Sequence, residues 1–362
     1  MSIKPYGAFV ALMLLCSYTT QSHSIGRAVS TQALDISFNQ AMQAYQQEHY
    51  STAFKLLSPL VKKDYPPAIS QLGYMYQYGI GVSKDPSAAN KLYKKLLAIY
   101  QVKTQQGDAQ TQYQLGQMHY SGYGVPVNVP EAMVWFTKAG DQGHIIAQYK
   151  LALLYDSGEN APKDSKAAIY WYTKAAELGH AKSQMFLAAK YYRGRDVDID
   201  YAVAAKWFEK SAEQGVAYSQ STLGFMYASG QGVVENKQKA LYWYTKGAEQ
   251  GDKDSQYDLG MKLKNGDGVP KNIMGSAQWF LKAAQQGQIA AQFEIAQMYR
   301  QGLGVNRDLV LAYAWMNVAI INGNYPANKP RDELIKMMNA DQLAEAEQLS
   351  AMWKFGQIIE HN

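Results

Sequence analysis

Cysteine is almost missing from this chain of 362 residues: Cys16 is the only one. A disulfide framework is thereby excluded, as is a metal centre or nucleophile pair built on thiolates. Six histidines are too few and too scattered for an imidazole metal site, and only six arginines accompany 29 lysines. With a formal charge of +5 and no dense basic run interleaved with aromatics, a nucleic-acid partner is not expected. No apolar run approaches the length of a membrane span; the longest lies at about residues 8–16. There is also no G-x-S-x-G elbow, phosphate loop, H-E-x-x-H motif or Cys/His nucleophile pair. Without a nameable general acid and base, an enzyme is not expected, and neither is a cofactor or a metal.

The first 24 residues differ in texture from the rest. Lys4 precedes the apolar stretch, and the polar segment SYTTQSHS follows it, which is the layout of a secretory signal. Cleavage after Ser24 places small residues at Ser22 and Ser24, with Gly26 and Ala28 as a poorer second option. The protein is therefore expected in a bacterial periplasm or secreted. Cys16 is lost with the signal, and Leu15 stands where a lipoprotein signal wants a small residue, so lipidation is disfavoured. An exported chain without disulfides must be stable by packing alone, and 47% apolar content allows a continuous core.

That core is written as a repeat. Tryptophans fall at Trp135, Trp171, Trp207, Trp243, Trp279 and Trp315, a step of 36 residues five times running. A second ladder keeps the same step: Leu115, Leu151, Leu187, Leu223, Leu259 and Ile295, each followed by Gly or Ala. An earlier copy begins at Leu72, with seven extra residues placed in the stretch LLAIYQVKTQQG. A period of this length means a solenoid of stacked units, each unable to bury both faces alone.

Each unit reads as two helices. The first carries the Leu, the small residue and, four residues after the Leu, an aromatic ring in most copies (Tyr76, His119, Tyr155, Tyr191, Tyr227 and Tyr299, with Leu263 the exception). It stops at a glycine such as Gly230. Six residues later stands Asp85, Asn128, Asp164, Asp200, Asn236, Asn272 or Asp308, the N-cap of the second helix. That helix carries the Trp between small residues and stops at a second glycine such as Gly215. The Trp ladder is expected in the interior, with Trp207→Ala costing about 3–5 kcal/mol.

The recurring form L-G/A-x-x-Y…G-x-G-V…D/N…A-x-x-W-Y/F-x-K-A-A…G resembles the Sel-one-like repeat, a relative of the tetratricopeptide repeat. The resemblance implies an all-α, right-handed α-solenoid of stacked antiparallel helix pairs. It divides the chain into the signal at 1–24, a tetratricopeptide-like pair at 33–67 (through Ala41, Tyr45, Tyr50, Ala53 and Leu57), seven repeats over 68–323, and capping helices over 324–362. Two short helices are expected beyond Pro330, the second opened by an Asn339/Gln342 capping box and sealing the last repeat with Leu343, Ala346, Leu349 and Trp353. Residues 158–161 (GENA) and 194–197 (GRDV) depart from the G-x-G-V turn, which leaves those two loops open.

In the tetratricopeptide family the concave groove is lined from the first helix, two before, two after and five after the Leu. The resemblance carries this onto Tyr74, Tyr113, Tyr120, Tyr149, Leu153, Tyr192, Phe225, Tyr257 and Phe293, joined by Met185 and Met261. Large aromatic patches with a polar rim mark interaction sites, although the same rings also serve to pack neighbouring first helices. His144 and His180 stand in one register of adjacent repeats and read as helix-start residues rather than ligands. The chain is thus expected to be a monomeric, non-enzymatic scaffold holding a protein partner in its groove. That partner is an envelope or host protein, or, for an immunity protein, a secreted lipase-type toxin; a binder of cell-wall fragments, or an enzyme acting on them, is the remaining alternative.

Overall fold

The computed structural model describes residues 25–105, 107–353 and 359. The signal segment and Cys16 lie outside them. Among the described residues there are 18 α-helices, one short 3-10 turn and no strand. The chain divides into two compact units. The first, Met1–Asp164, holds α1 (Ile25–Gln46), α2 (Tyr50–Lys62), α3 (Pro66–Tyr78), α4 (Pro86–Thr104), α5 (Ala109–Ser121), α6 (Val129–Asp141) and α7 (Ile145–Ser157). The second, Ser165–Asn362, holds α8 (Ser165–Glu177), α9 (Ala181–Arg193), α10 (Tyr201–Glu213), α11 (Ala217–Ser229), α12 (Lys237–Glu249), α13 (Lys253–Asn265), α14 (Ile273–Gln285), α15 (Ile289–Gln301), α16 (Leu309–Ile321), α17 (Asn328–Ile335) and α18 (Ala340–Met352). Within each unit every α-helix up to α16 packs on the next along the chain, and α18 packs back on α16, so the all-α solenoid of helix pairs expected from the period is present.

Why the pairs close is visible at the small residue after the Leu. A side chain added at Gly116 would meet the Phe136 ring at 2.6 Å, one at Gly224 the Tyr244 ring at 2.9 Å, and one at Gly260 the Phe280 ring at 2.7 Å. The ring on the second helix occupies the volume that the first helix leaves vacant. This ring belongs to the residue after the Trp, and it is the fully buried one: Phe136, Tyr172, Phe208 and Phe280 have essentially no exposed surface.

The Trp ladder therefore needs correction. Trp315 is wholly interior, and Trp171 and Trp243 are buried, but Trp135, Trp207 and Trp279 are only half-buried. Each of these three carries a lysine ammonium over its ring, at 4.0 Å (Lys138), 4.5 Å (Lys210) and 4.1 Å (Lys282). The centres read VWF, YWY, KWF, YWY, QWF and AWM in chain order, and where the residue after the Trp is Phe the indole is displaced to the rim.

The loops between paired helices are held by two devices. The cap residue's N–H donates to the carbonyl four residues after the Leu, as in Asn236 to Tyr227 (2.8 Å) and Asp308 to Tyr299 (2.9 Å). Its side chain then accepts from the first turn of the second helix, for Asp85, Asn128, Asp200, Asn236, Asn272 and Asp308. The second glycine of G-x-G-V has φ near +70° and lies against the start of the preceding second helix; a side chain at Gly232 would sit 2.2 Å from the Tyr201 carbonyl oxygen. The two departing loops keep this geometry, because Asn160 (φ 59°) and Asp196 (φ 68°) adopt the same left-handed conformation.

Asp196 also explains its own presence. Three residues after the Leu, the first helix usually buries Met or Leu, but α9 places Lys190 there, buried, with its ammonium 3.0 Å from the Asp196 carboxylate. A buried ammonium needs such a partner. In α13 the same register holds Lys262, paired with Asp267.

The insertion before Leu115 lengthens α4 to 19 residues, where the other helices of the seven repeats have 13. At the C-terminal end, α17 begins at Asn328, earlier than expected, so Pro330 falls in its first turn, where it removes no helical hydrogen bond. The Asn339/Gln342 capping box opens α18 as expected. Leu343, Ala346, Leu349 and Trp353 pack on the core that contains Trp315.

Two comparisons of variants test this packing. Phe208→Ala should cost about 3–5 kcal/mol and Trp207→Ala clearly less, read by denaturant unfolding. Asp196→Gly alone should destabilise by about 3 kcal/mol, whereas Lys190→Met with Asp196→Gly should return to the parent's stability.

Candidate functional site

The nine predicted groove residues fall into two sets. Tyr74, Tyr113, Tyr120, Tyr149 and Leu153 belong to the first unit, and Tyr192, Phe225, Tyr257 and Phe293 to the second. One of them does not line a surface: Tyr113 is 3% exposed, packs beside Phe136 and stacks on the His144 ring at 4.5 Å. The reason is that α5 opens against His144 of the following repeat, which covers the residue two before Leu115. Tyr257 and Phe293 are half-buried and lean on the core of the second unit, as does Met261. Tyr74, Tyr120, Tyr149, Leu153 and Tyr192 are half-buried, and Phe225 is 47% exposed.

In the first unit the α3 end gathers four tyrosines. The rings of Tyr74 and Tyr78 lie 4.6 Å apart, and Tyr93 stacks on Tyr123 at 4.7 Å. Burial pushes the Tyr123 phenol up to about 12, with a hydrogen bond to Tyr78 adding to the effect. Burial raises the Tyr93 phenol as well. Further along, the Lys150 ammonium stands 5.5 Å over the Tyr120 ring, and burial lowers the lysine's pKa.

The second unit carries the more open face. On α9 and α11, Tyr192 packs edge-on against Tyr201 and Phe208, the Arg193 guanidinium donates to the Tyr218 hydroxyl at 2.8 Å, and Phe225 lies two turns beyond Tyr218. Tyr218 is 39% exposed. Sequence reasoning missed both Tyr218 and Arg193; the signal was that Tyr218 stands seven residues before Phe225 and Arg193 directly after Tyr192. Toward the C-terminus this face becomes ionic, with Lys264 bonded to Glu294 (2.5 Å) and Arg300 to Glu333 (2.9 Å).

His144 and His180 are helix N-caps. The Nδ1 of each accepts the backbone N–H three residues on, at 3.1 Å and 3.2 Å. Burial lowers both pKa values, which keeps the imidazoles neutral and able to accept. Their folded pKa lies below the unfolded one, so the stability they supply is complete above about pH 6.5 and declines as pH falls below it. Among the described residues no group of three or more His, Cys, Asp or Glu could hold a metal ion.

Asp258 on α13 titrates in the opposite sense. Burial, then Asp254, pushes its carboxyl up to about 7, against the pull of Lys262. A carboxyl with a raised folded pKa costs stability above that value, and the cost is relieved as pH falls. Asp258→Asn should therefore melt higher than the parent at about pH 8 and equal to it at about pH 4, measured by thermal unfolding.

The arrangement offers aromatic faces with phenol and guanidinium donors. Comparison with known proteins identifies the repeat. The Sel1 repeat model matches residues 66–97, 109–144, 145–180, 181–216, 217–252, 253–288 and 289–324. A protective antigen of uropathogenic Escherichia coli strains, c5321, which displays an SLR fold, is 34% identical over 85% of this chain, with a TM-score of 0.66; the match spans 65% of the antigen's length. A Sel1 repeat protein from Oxalobacter formigenes is 29% identical, covering 90% of this chain and 99% of its own, with a TM-score of 0.60. The immunity protein Pa5087 from Pseudomonas aeruginosa is 19% identical over 60% of this chain and 83% of its own, at a TM-score of 0.36, a level from which no role follows. No curated protein matches the chain. Seven consecutive matches over most of its length make this chain a member of the Sel1 repeat family.

Proposed function

We propose that the protein is an exported, non-enzymatic scaffold that holds a protein partner on the first-helix face of its second unit. The observation that carries this reading is the exposed pair Tyr218 and Phe225, 39% and 47% accessible on a helix whose other large apolar residues are buried. Aromatic side chains lose little rotamer entropy on burial and are the commonest anchors of protein interfaces. Arg193, already oriented by the Tyr218 hydroxyl, adds a directional donor at the patch rim. The Sel1 repeat is a protein-interaction fold, and the aromatic content of this face fits a partner better than it fits a soluble metabolite. The signal-like segment at 1–24 supports export.

Phe225 is exposed, and Tyr218 reaches the core only as a partly exposed ring 6.1 Å from Phe208, so Tyr218→Ser with Phe225→Ser should melt within a few degrees of the parent. An affinity column of the parent, loaded with an envelope extract of the source bacterium, should retain a protein that the double variant binds at least tenfold more weakly (about 1.4 kcal/mol). Equal retention by both forms would place the partner elsewhere.

A further inference from the structure

The second helices of the second unit carry a different pattern, which the protein-binding face does not use. In α8, α10, α12 and α14 a lysine stands three residues after the Trp, at Lys174, Lys210, Lys246 and Lys282, a strict 36-residue spacing that ends at Val318 in α16. Each ammonium lies over an aromatic ring of its own helix: 5.7 Å from Tyr170, 4.5 Å from Trp207, 5.9 Å from Tyr242 and 4.1 Å from Trp279. Tyr170 and Tyr242 are more than half exposed, 51% and 53%. The equivalence of register places these four cation-and-ring units on the same face of successive second helices.

Two further features single this face out. The helices α8, α10, α12 and α14 hold eight lysines against four glutamates. Lys246 is held 3.9 Å from Glu249, while Lys174, Lys210 and Lys282 make no ion pair among the described residues. On the first-helix side, by contrast, Lys190, Lys262, Lys264 and Arg300 are all committed to carboxylates. The second feature is apolar: Ile199, Val234 and Met274, at or just before the starts of α10, α12 and α14, are strongly exposed. A positive row with its amphipathic rings, and exposed aliphatic side chains at the opposite ends of the same helices, complement a surface that is anionic at its head and apolar beneath. Tyrosine and tryptophan settle at such boundaries, and lysine stems cover apolar area while the ammonium stays in water.

We propose that the second-helix face of the second unit, through Tyr170/Lys174, Trp207/Lys210, Tyr242/Lys246 and Trp279/Lys282, docks on an anionic phospholipid surface. The first-helix face then remains available to a partner. Attraction falls off within a Debye length, so association must be salt-sensitive.

The test is co-sedimentation of the full chain with vesicles of equimolar phosphatidylglycerol and phosphatidylcholine, beside vesicles of phosphatidylcholine alone. The anionic vesicles should bind the protein at low salt and release it at high salt. Joint replacement of Lys174, Lys210, Lys246 and Lys282 by Gln should weaken binding at least about tenfold while leaving the thermal melt cooperative. The N-terminal apolar stretch is the same in both proteins, so the difference reads the lysines. A second variant, Tyr170→Ser with Tyr242→Ser, should lose binding several-fold. Equal binding to both vesicle types, or undiminished binding by the lysine variant, would overturn the proposal. So would retention on soluble polyphosphate without retention on vesicles, since that marks a site for free polyanions.

Discussion

The helix pairs close by seating an aromatic ring of the second helix where the first helix has almost no side chain. Phe136 over Gly116, Tyr244 over Gly224 and Phe280 over Gly260 are the clearest instances, at 2.6–2.9 Å from the position a Cβ would take. A glycine inside a helix costs about 1 kcal/mol relative to alanine. That loss is recovered only if the close approach it permits buries more than a methyl would. The other recurring features follow from this seat: the Leu beside it is interior, the turn must bring the second helix back at one angle, and the cap must start that helix at one residue.

A second requirement is to join one pair to the next without disulfides. A row of buried glutamines near the start of each first helix does this. The amide of Gln220 donates to the Ala212 carbonyl at 3.0 Å and its oxygen accepts from Gln250 at 2.6 Å. The same two bonds recur at Gln184 with Gln214, Gln256 with Gln286, and Gln292 with Asn322. One of the two bonds gives a second donor to a carbonyl at a helix end, as at Ala212, which also accepts from the Gly215 N–H at 2.9 Å, and the other joins two side-chain amides; leaving a buried amide unpaired costs more than its bond gains. A neutral amide with one donor and one acceptor committed to fixed partners also sets the register between neighbours.

Much of this was legible in the sequence because periodicity reports geometry directly. The period, the two-helix unit, the caps at Asp85, Asn128, Asp200, Asn236, Asn272 and Asp308, and the Asn339/Gln342 box each depend on local chemistry that one residue type satisfies. The Trp ladder misled because the largest ring was assumed to lie deepest; the ring after it, where there is one, fills the seat, and the indole is buried beside a seated Tyr172 or Tyr244 but only half-buried beside a seated Phe136, Phe208 or Phe280. The glutamine ladder went unnoticed because a polar residue at a helix start ordinarily reads as solvated, and only the stacking of neighbours encloses it. Tyr113 was assigned to a surface for a related reason: register gives direction, and the covering residue, His144, comes from the next repeat. Specificity is less legible still, because the rings that pack and the rings that bind are of the same type.

The most direct test of the closure mechanism is the unfolding free energy of Gly260→Val. Valine is a slightly better helix former than glycine, so helix propensity alone predicts a small gain in stability. The seat described here predicts a loss of at least about 3 kcal/mol with a sharply lowered melting temperature, because the added side chain must displace the Phe280 ring. A variant as stable as the parent, or more so, would contradict it.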